Sequence, residues 1–409
     1  MKKASKSRSR WVFVVCFAIF ICWNFRYNTG RIETLKSALA APEKITKLEL
    51  GCAYYNEIWQ TQDQRWIWAF PFKLYFNQYS QVSAEMGWMK DISQFRNLRL
   101  LNLNCNGLTE LPEAITELPL LRTLSLSFNQ LRQLPTGFAK LRSLRTLSAS
   151  NNQLEFLPDG ICALDSLWEI WAIQNQLSKL PDDFGKLKAL SQLRLQDNLL
   201  VELPASFGGL ENLKELRLTD NKLASLPANF GNLAALESCI LTNNHLSEFP
   251  ASIGKLRCLT SLSISYNQLK SLPKEIGKLH HLTHLSISNN QLKSLPKEIG
   301  ELVALFSLGV SDNPFSELPE EIGNLKNLEA LYLDNTLVER IPDSISGCRS
   351  LVDLSLSGSK VRSLPKSMKS MTHLDRIYFR KGDLTEKELG LIKANLPITT
   401  KIILEKAEK

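Results

Sequence analysis

His280, His281 and His284 crowd into five residues, and imidazoles that close together invite metal or proton chemistry. A zinc or transition-metal site needs further donors, however, and no cysteine or carboxylate nearby completes a set. The three also straddle the turn into a strand, so we read them as surface residues. No CxxC pair and no GxxxxGK[ST] phosphate loop occurs. With no catalytic constellation, we expect neither enzyme activity, nor a cofactor, nor a metal.

A second group is suited to recognition rather than bond making. Trp171, Arg194, Arg217 and Ile240 recur at 23-residue steps, accompanied by Trp168, Glu169, Ile173 and Glu215. Tryptophan and arginine dominate the energetics of protein interfaces. A smaller group further on comprises Phe306, Tyr332, Arg376, Tyr378 and Arg380. What these residues do depends on the elements that carry them.

Those elements come from a repeat. A leucine opening the pattern LxxLxLxxNxL stands at Leu98, Leu121, Leu144 and every 23 residues thereafter to Leu374. Such regularity signals a solenoid in which each unit buries its apolar face only against its neighbours. Alternation in LxxLxL predicts a short strand with leucines on one face, and the remaining apolar residues turn inward from the return segment. Asparagine follows the strand at Asn106 and in each repeat through Asn313, where its amide can satisfy backbone groups as the chain leaves the sheet. The column fails at Thr336, Ser359 and Gly382, which predicts a looser or differently curved C-terminal third. Proline after an apolar residue, from Leu111-Pro112 to Leu364-Pro365, disfavours early helix in the return segment.

A complete unit, LTSLSISYNQLKSLPKEIGKL at residues 259–279, resembles the leucine-rich-repeat family. The closer similarity is to the LPxxIGxLxxL subtype of Ras-pathway scaffold proteins, Scribble-like adaptors and many bacterial proteins. It extends over about residues 91–384. The plant receptor signature LxGxIP is not matched. The resemblance implies an α/β solenoid, a horseshoe with a parallel β-sheet on its concave face, of about 13 repeats of 23 residues plus caps. It also implies protein recognition through that face.

On this scaffold the outward strand positions are free of packing duty. The middle outward column is mostly small and polar, with Ser148, Ser263, Ser286 and Gly309 among its members, so Trp171, Arg194, Arg217 and Ile240 stand out as a binding patch for a protein partner. The alternative is that Trp168 and Trp171 shield the small core residue Ala172 while the arginines pair with Glu169 and Glu215.

The ends carry separate signals. WVFVVCFAIFICW, residues 11–23, is apolar throughout and follows five positive charges, the arrangement of a signal sequence or signal anchor. Asn24, Phe25, Arg26 and Tyr27 follow it in place of the small residues that cleavage needs. We expect a basic cytoplasmic tail (1–10), an uncleaved membrane anchor (11–25) and a linker (26–44), with the repeats outside the cytoplasm. The alternatives are cleavage to a secreted effector or adhesin, and a cytoplasmic signalling adaptor. ITKLEL, residues 45–50, reads as an extra strand, after which an aromatic insertion from Trp59 to Trp88 interrupts the N-terminal cap (45–97). Its Trp66, Trp68, Phe70 and Phe72 either cover the open end of the solenoid or form a binding or membrane-interface loop. The solenoid proper spans 98–384. Thr385 and Glu388 form a capping box opening a helix to about Asn395, before a last strand in ITTKIIL, and this C-terminal cap (385–409) leaves no room for an appended catalytic domain.

Charge and cysteine use bound the partners. The net charge is +8, but residues 1–31 contain seven bases and no acid, which leaves 42 bases against 41 acids. A nearly neutral folded part argues against nucleic acid as a partner. Of eight cysteines, Cys239 replaces a core leucine, and Cys52 and Cys105 each follow an early strand, where a cap disulfide could form if those turns stack.

Overall fold

A computed structural model describes residues 40–49 and 83–406 of the chain. These form a 15-stranded sheet whose strands lie in chain order, every neighbouring pair parallel. Most strands have three residues, xLx, in which one inward side chain is flanked by two outward ones. In Gln192–Arg194 the inward residue is Leu193, fully buried with Leu190 and Leu195 around it. Each such leucine contributes roughly 2 kcal/mol of burial. One continuous core runs from Leu48 to Leu396.

The return segments are short 3₁₀ turns. Proline caps many of them at φ near −66°, as at Pro273 before Lys274–Lys278, and its fixed backbone begins the turn after an extended residue. Repeats carrying Phe-Gly have still shorter turns, such as Phe184–Lys186 and Phe207–Gly209. There Phe184, Phe207 and Phe230 stack with ring centroids 6.4 Å apart, forming an apolar spine behind the sheet. Gly231 is required by this close stacking, since a Cβ would lie 1.8 Å from the Ser252 carbonyl oxygen of the next turn.

The asparagine column binds each turn to the one before it. Asn221 accepts from Leu200 N at 3.0 Å and donates to Leu195 O at 2.9 Å and to Leu218 O at 3.1 Å. The same pattern recurs from Asn129 to Asn313. Thr336 bonds instead within its own turn, to Leu333 O at 2.7 Å. Strand pairing nevertheless continues through this region in unbroken register. Cross-repeat bonding passes there to carboxylates: Asp334 accepts from Ser311, Ser355 and the Ser357 amide, and Asp383 from the Gly358 amide.

At the N-terminal end the strand expected in ITKLEL forms at Lys47–Glu49 and pairs directly with Leu100–Asn102. The aromatic insertion lies almost wholly outside the described residues, as does the apolar segment 11–25. Among the described residues no helix is long and apolar enough to cross a membrane. Cys105 is disulfide-bonded, whereas Cys162, Cys239, Cys258 and Cys348 are free. Cys52, the partner expected for Cys105, lies outside the described residues. At the other end an α-helix, Glu386–Ala394, opens with the Thr385–Glu388 capping box, and Lys401–Glu405 closes the sheet.

Asn221→Ala would strand the Leu200 amide in the core, while Leu195 O and Leu218 O keep their bonds from Asn198 and Asn244. It should cost about 2 kcal/mol in chemical denaturation, against under about 0.5 kcal/mol for the exposed Lys222→Ala.

Candidate functional site

Register places the first recognition group on consecutive strands. Ser148 pairs with Trp171, Trp171 with Arg194, Arg194 with Arg217 and Arg217 with Ile240, so the four side chains line up at roughly 4.8 Å per step. They point away from the core because Ile170, Leu193, Leu216 and Cys239 point into it. Trp168, 46% exposed, stands just before its strand at the rim of the concave face.

The polar members hold one another. Glu215 bridges both arginines, accepting from Arg194 Nη2 at 3.1 Å and from Arg217 Nε. The Arg194 guanidinium lies over the Trp171 ring, 4.8 Å from its centroid, a cation–π contact that partial burial strengthens. The proposed pairing of arginines with glutamates thus exists, but through Glu215 alone at hydrogen-bond distance, and it fixes the arginines without satisfying the cluster. Trp171 Nε1, Arg194 Nε and Gln196 Oε1 are buried with no hydrogen-bond partner. Glu169 is held above the ordinary carboxylate range by burial, an effect countered by the Arg194 charge, by a Thr146 hydrogen bond and by the neighbouring Trp171 indole N–H.

Ile173 corrects the expectation for this patch, since it is only 4% exposed and presents no surface. Its column, one step beyond the strands, lies where the chain bends out of the sheet, and Ser127, Ser150 and Gln196 in that column are buried as well. Gln196 is the member that reading the middle column misses. The same register read one position before the strands would also have found a file of Arg99, Arg122 and Arg145 ending at Trp168.

The second group is only partly assembled. Arg376, Tyr378 and Arg380 alternate on one strand, outward of buried Ile377 and Phe379, and Tyr332 joins Tyr378 through Ser355 in the same column. Phe306 does not join them but packs on His284, ring centroids 5.7 Å apart. Arg376 is engaged by Asp353 at 2.7 Å, and Arg380 by Asn335. Between the two groups the floor is a shallow depression of about 320 Å³, lined by residues such as Ser263, Ser286 and Gly309. No group of histidine, cysteine and carboxylate side chains among the described residues could hold a metal ion, the histidine cluster included.

Comparison with known proteins identifies the scaffold. The profile of the family described as leucine-rich repeat region matches residues 79–178, 239–309 and 296–394. A leucine-rich-repeat protein of Leptospira interrogans is 31% identical over 90% of this chain and 98% of its own, with a TM-score of 0.64. The ectodomain of the plant membrane receptor kinase GASSHO1/SCHENGEN3 from Arabidopsis thaliana, solved in complex with Casparian strip integrity factor 2, is 30% identical over 75% of this chain, with a TM-score of 0.56. The match spans 41% of that ectodomain. An internalin of Listeria monocytogenes, 17% identical with a TM-score of 0.64 over 82% of this chain and 97% of its own, shares the fold. No curated protein matches the chain. The chain belongs to the leucine-rich-repeat family.

The raised Glu169 carboxyl has a measurable sign. An acid whose folded pKa exceeds its unfolded one costs stability when ionised, and that cost appears as pH rises past about 4.5. Glu169→Gln should therefore gain melting temperature relative to wild type at pH 7, and less so at pH 4, in paired thermal melts.

Proposed function

We propose that the chain is a non-catalytic, protein-binding solenoid that presents the strands from Glu169 to Ile240 to a protein partner. The observation that carries this reading is the Trp171–Arg194–Arg217–Ile240 file, set on a face whose other positions are mainly serine and glycine. Its arginines are already oriented by Glu215, so little side-chain freedom remains to be lost on binding. Its unsatisfied indole and guanidinium hydrogens and Gln196 oxygen would gain bonds from a partner that reorganises the cluster. The similar plant receptor ectodomain, solved with a bound factor, offers a precedent for recognition on this scaffold.

The chain should be exported with its repeats outside the cytoplasm and residues 11–25 retained as an anchor. The basic residues before the apolar run support the orientation. The disulfide at Cys105 fits an oxidising compartment. The secreted form remains the second reading, because the apolar run of thirteen residues has the length of a signal sequence.

If the patch binds, Trp171→Ala and Arg194→Ala should each weaken the affinity for a captured partner by about 2 kcal/mol or more. Ser286→Ala and Ser355→Ala should cost well under about 1 kcal/mol. Unchanged affinity in both patch variants, with thermal melts showing them folded, removes the site. For the topology, the intact mass should retain residues 11–25 and added protease should reach the repeats on intact cells. A mature chain starting between Phe25 and Ala41 would defeat the anchor, and protected repeats would defeat the orientation.

A further inference from the structure

The N-terminal rim of the concave face carries a file of cations that the near-neutral sum of charges conceals. Residues 96–145 contain seven bases against three acids, and the backbone fixes where three of the arginines stand. The amides of Arg122 and Thr123 both donate to Arg99 O, at 2.8 and 3.0 Å, those of Arg145 and Thr146 to Arg122 O, and those of Trp168 and Glu169 to Arg145 O. Arg99, Arg122, Arg145 and Trp168 therefore occupy equivalent positions on four successive turns, spaced by roughly 4.8 Å at the backbone. All four are exposed. Among the described residues, no ion pair or side-chain hydrogen bond engages any of the three guanidinium groups.

Further along, this same column is built differently. Lys214 is followed one turn later by Glu237, and the two pair at 2.9 Å. Other exposed lysines find carboxylates one turn away as well, Lys140 with Glu117 and Lys188 with Glu211. Opposite charges one period apart are thus the usual way this solenoid settles its surface. At the rim three like charges stand in sequence instead, and Arg96 and Arg142, three positions earlier in their own repeats, are exposed and, among the described residues, unpaired beside them. Like charges at that spacing repel, which an anionic ligand would relieve.

We infer that this rim docks an acidic segment of the protein partner, with Trp168 as the apolar stop at the end of the cationic file. The inference rests on the protein-binding reading and deepens it, because Trp168 is continuous through Glu169 with the Trp171 patch. Carboxylates suit the site because arginine receives them in forked pairs. A nucleic acid would want bases stacked on interleaved aromatic rings, and this file has one ring at its end and none between its arginines.

The test uses the full chain in detergent and a fluorescein-labelled random copolymer of glutamate and tyrosine, titrated at low salt. Wild type should bind saturably, and the triple variant Arg99→Gln, Arg122→Gln, Arg145→Gln should bind at least tenfold more weakly with an unchanged melting temperature. A control removing equal charge elsewhere, Lys270→Gln, Lys274→Gln, Lys293→Gln, should stay within twofold of wild type. Absent binding, an unaffected triple variant, or equal losses in the control would each overturn the inference. So would tighter binding, lost in the triple variant, to single-stranded DNA or to heparin than to the copolymer. Loss of a captured partner in Trp171→Ala but not in the triple variant would defeat the rim alone and leave the patch standing.

Discussion

The side chain of Asn129 accepts from the amides of Asn106 and Leu108 in the preceding turn and donates to Leu103 O there and Leu126 O in its own. Every turn must release its backbone from the sheet somewhere, and at that bend some peptide groups, such as the Leu108 amide and the Leu103 carbonyl, are met by a side chain while the core excludes water. An amide that donates and accepts together meets both needs in the space of one residue. Because the bond crosses between turns, it also fixes their separation. Leucine burial supplies the larger energy, but the ladder sets the register in which the leucines meet.

With inward positions fixed by leucine and the bend by asparagine, the outward strand positions are left to vary. Serine is their commonest occupant, and Ser286 is bonded to Ser265, just past the neighbouring strand, at 2.8 Å. Against that floor a tryptophan, two arginines and an isoleucine on successive strands have no packing task to account for them. Their own hydrogen bonds reinforce the point, since Glu215 aligns both guanidinium groups while the indole hydrogen of Trp171 stays unsatisfied. Structural pairs usually complete each other; this cluster is ordered yet incomplete.

Most of the fold is legible in the sequence because each device repeats at the same 23-residue interval. The parallel sheet, the capping box at Thr385 and the extra strand before the first full repeat all follow from local pattern. Depth within the concave face is not legible in that way. Alternation marks Ile173 as outward, yet the bend that Asn175 stabilises closes over its column and buries it. Backbone sign is likewise obscured. The residue before each ladder asparagine takes positive φ, which Asp197, Asp220 and Asn243 suit, but Phe128, Gln174 and Tyr266 occupy the same position and hide the pattern. The cationic rim escapes any count of net charge, since segregation along one edge leaves the sum unchanged.

The central claim is that a protein partner is read by the concave face between Trp168 and Ile240. Hydrogen–deuterium exchange of the full chain, alone and saturated with its captured partner, tests that claim directly. Amides in the strands from Glu169–Trp171 to Ser238–Ile240 should slow on binding, while those in the 3₁₀ turns behind them, such as Phe207–Gly209, should not change. Protection confined to those turns, with the strands unaffected, would place the partner on the opposite face and contradict the account.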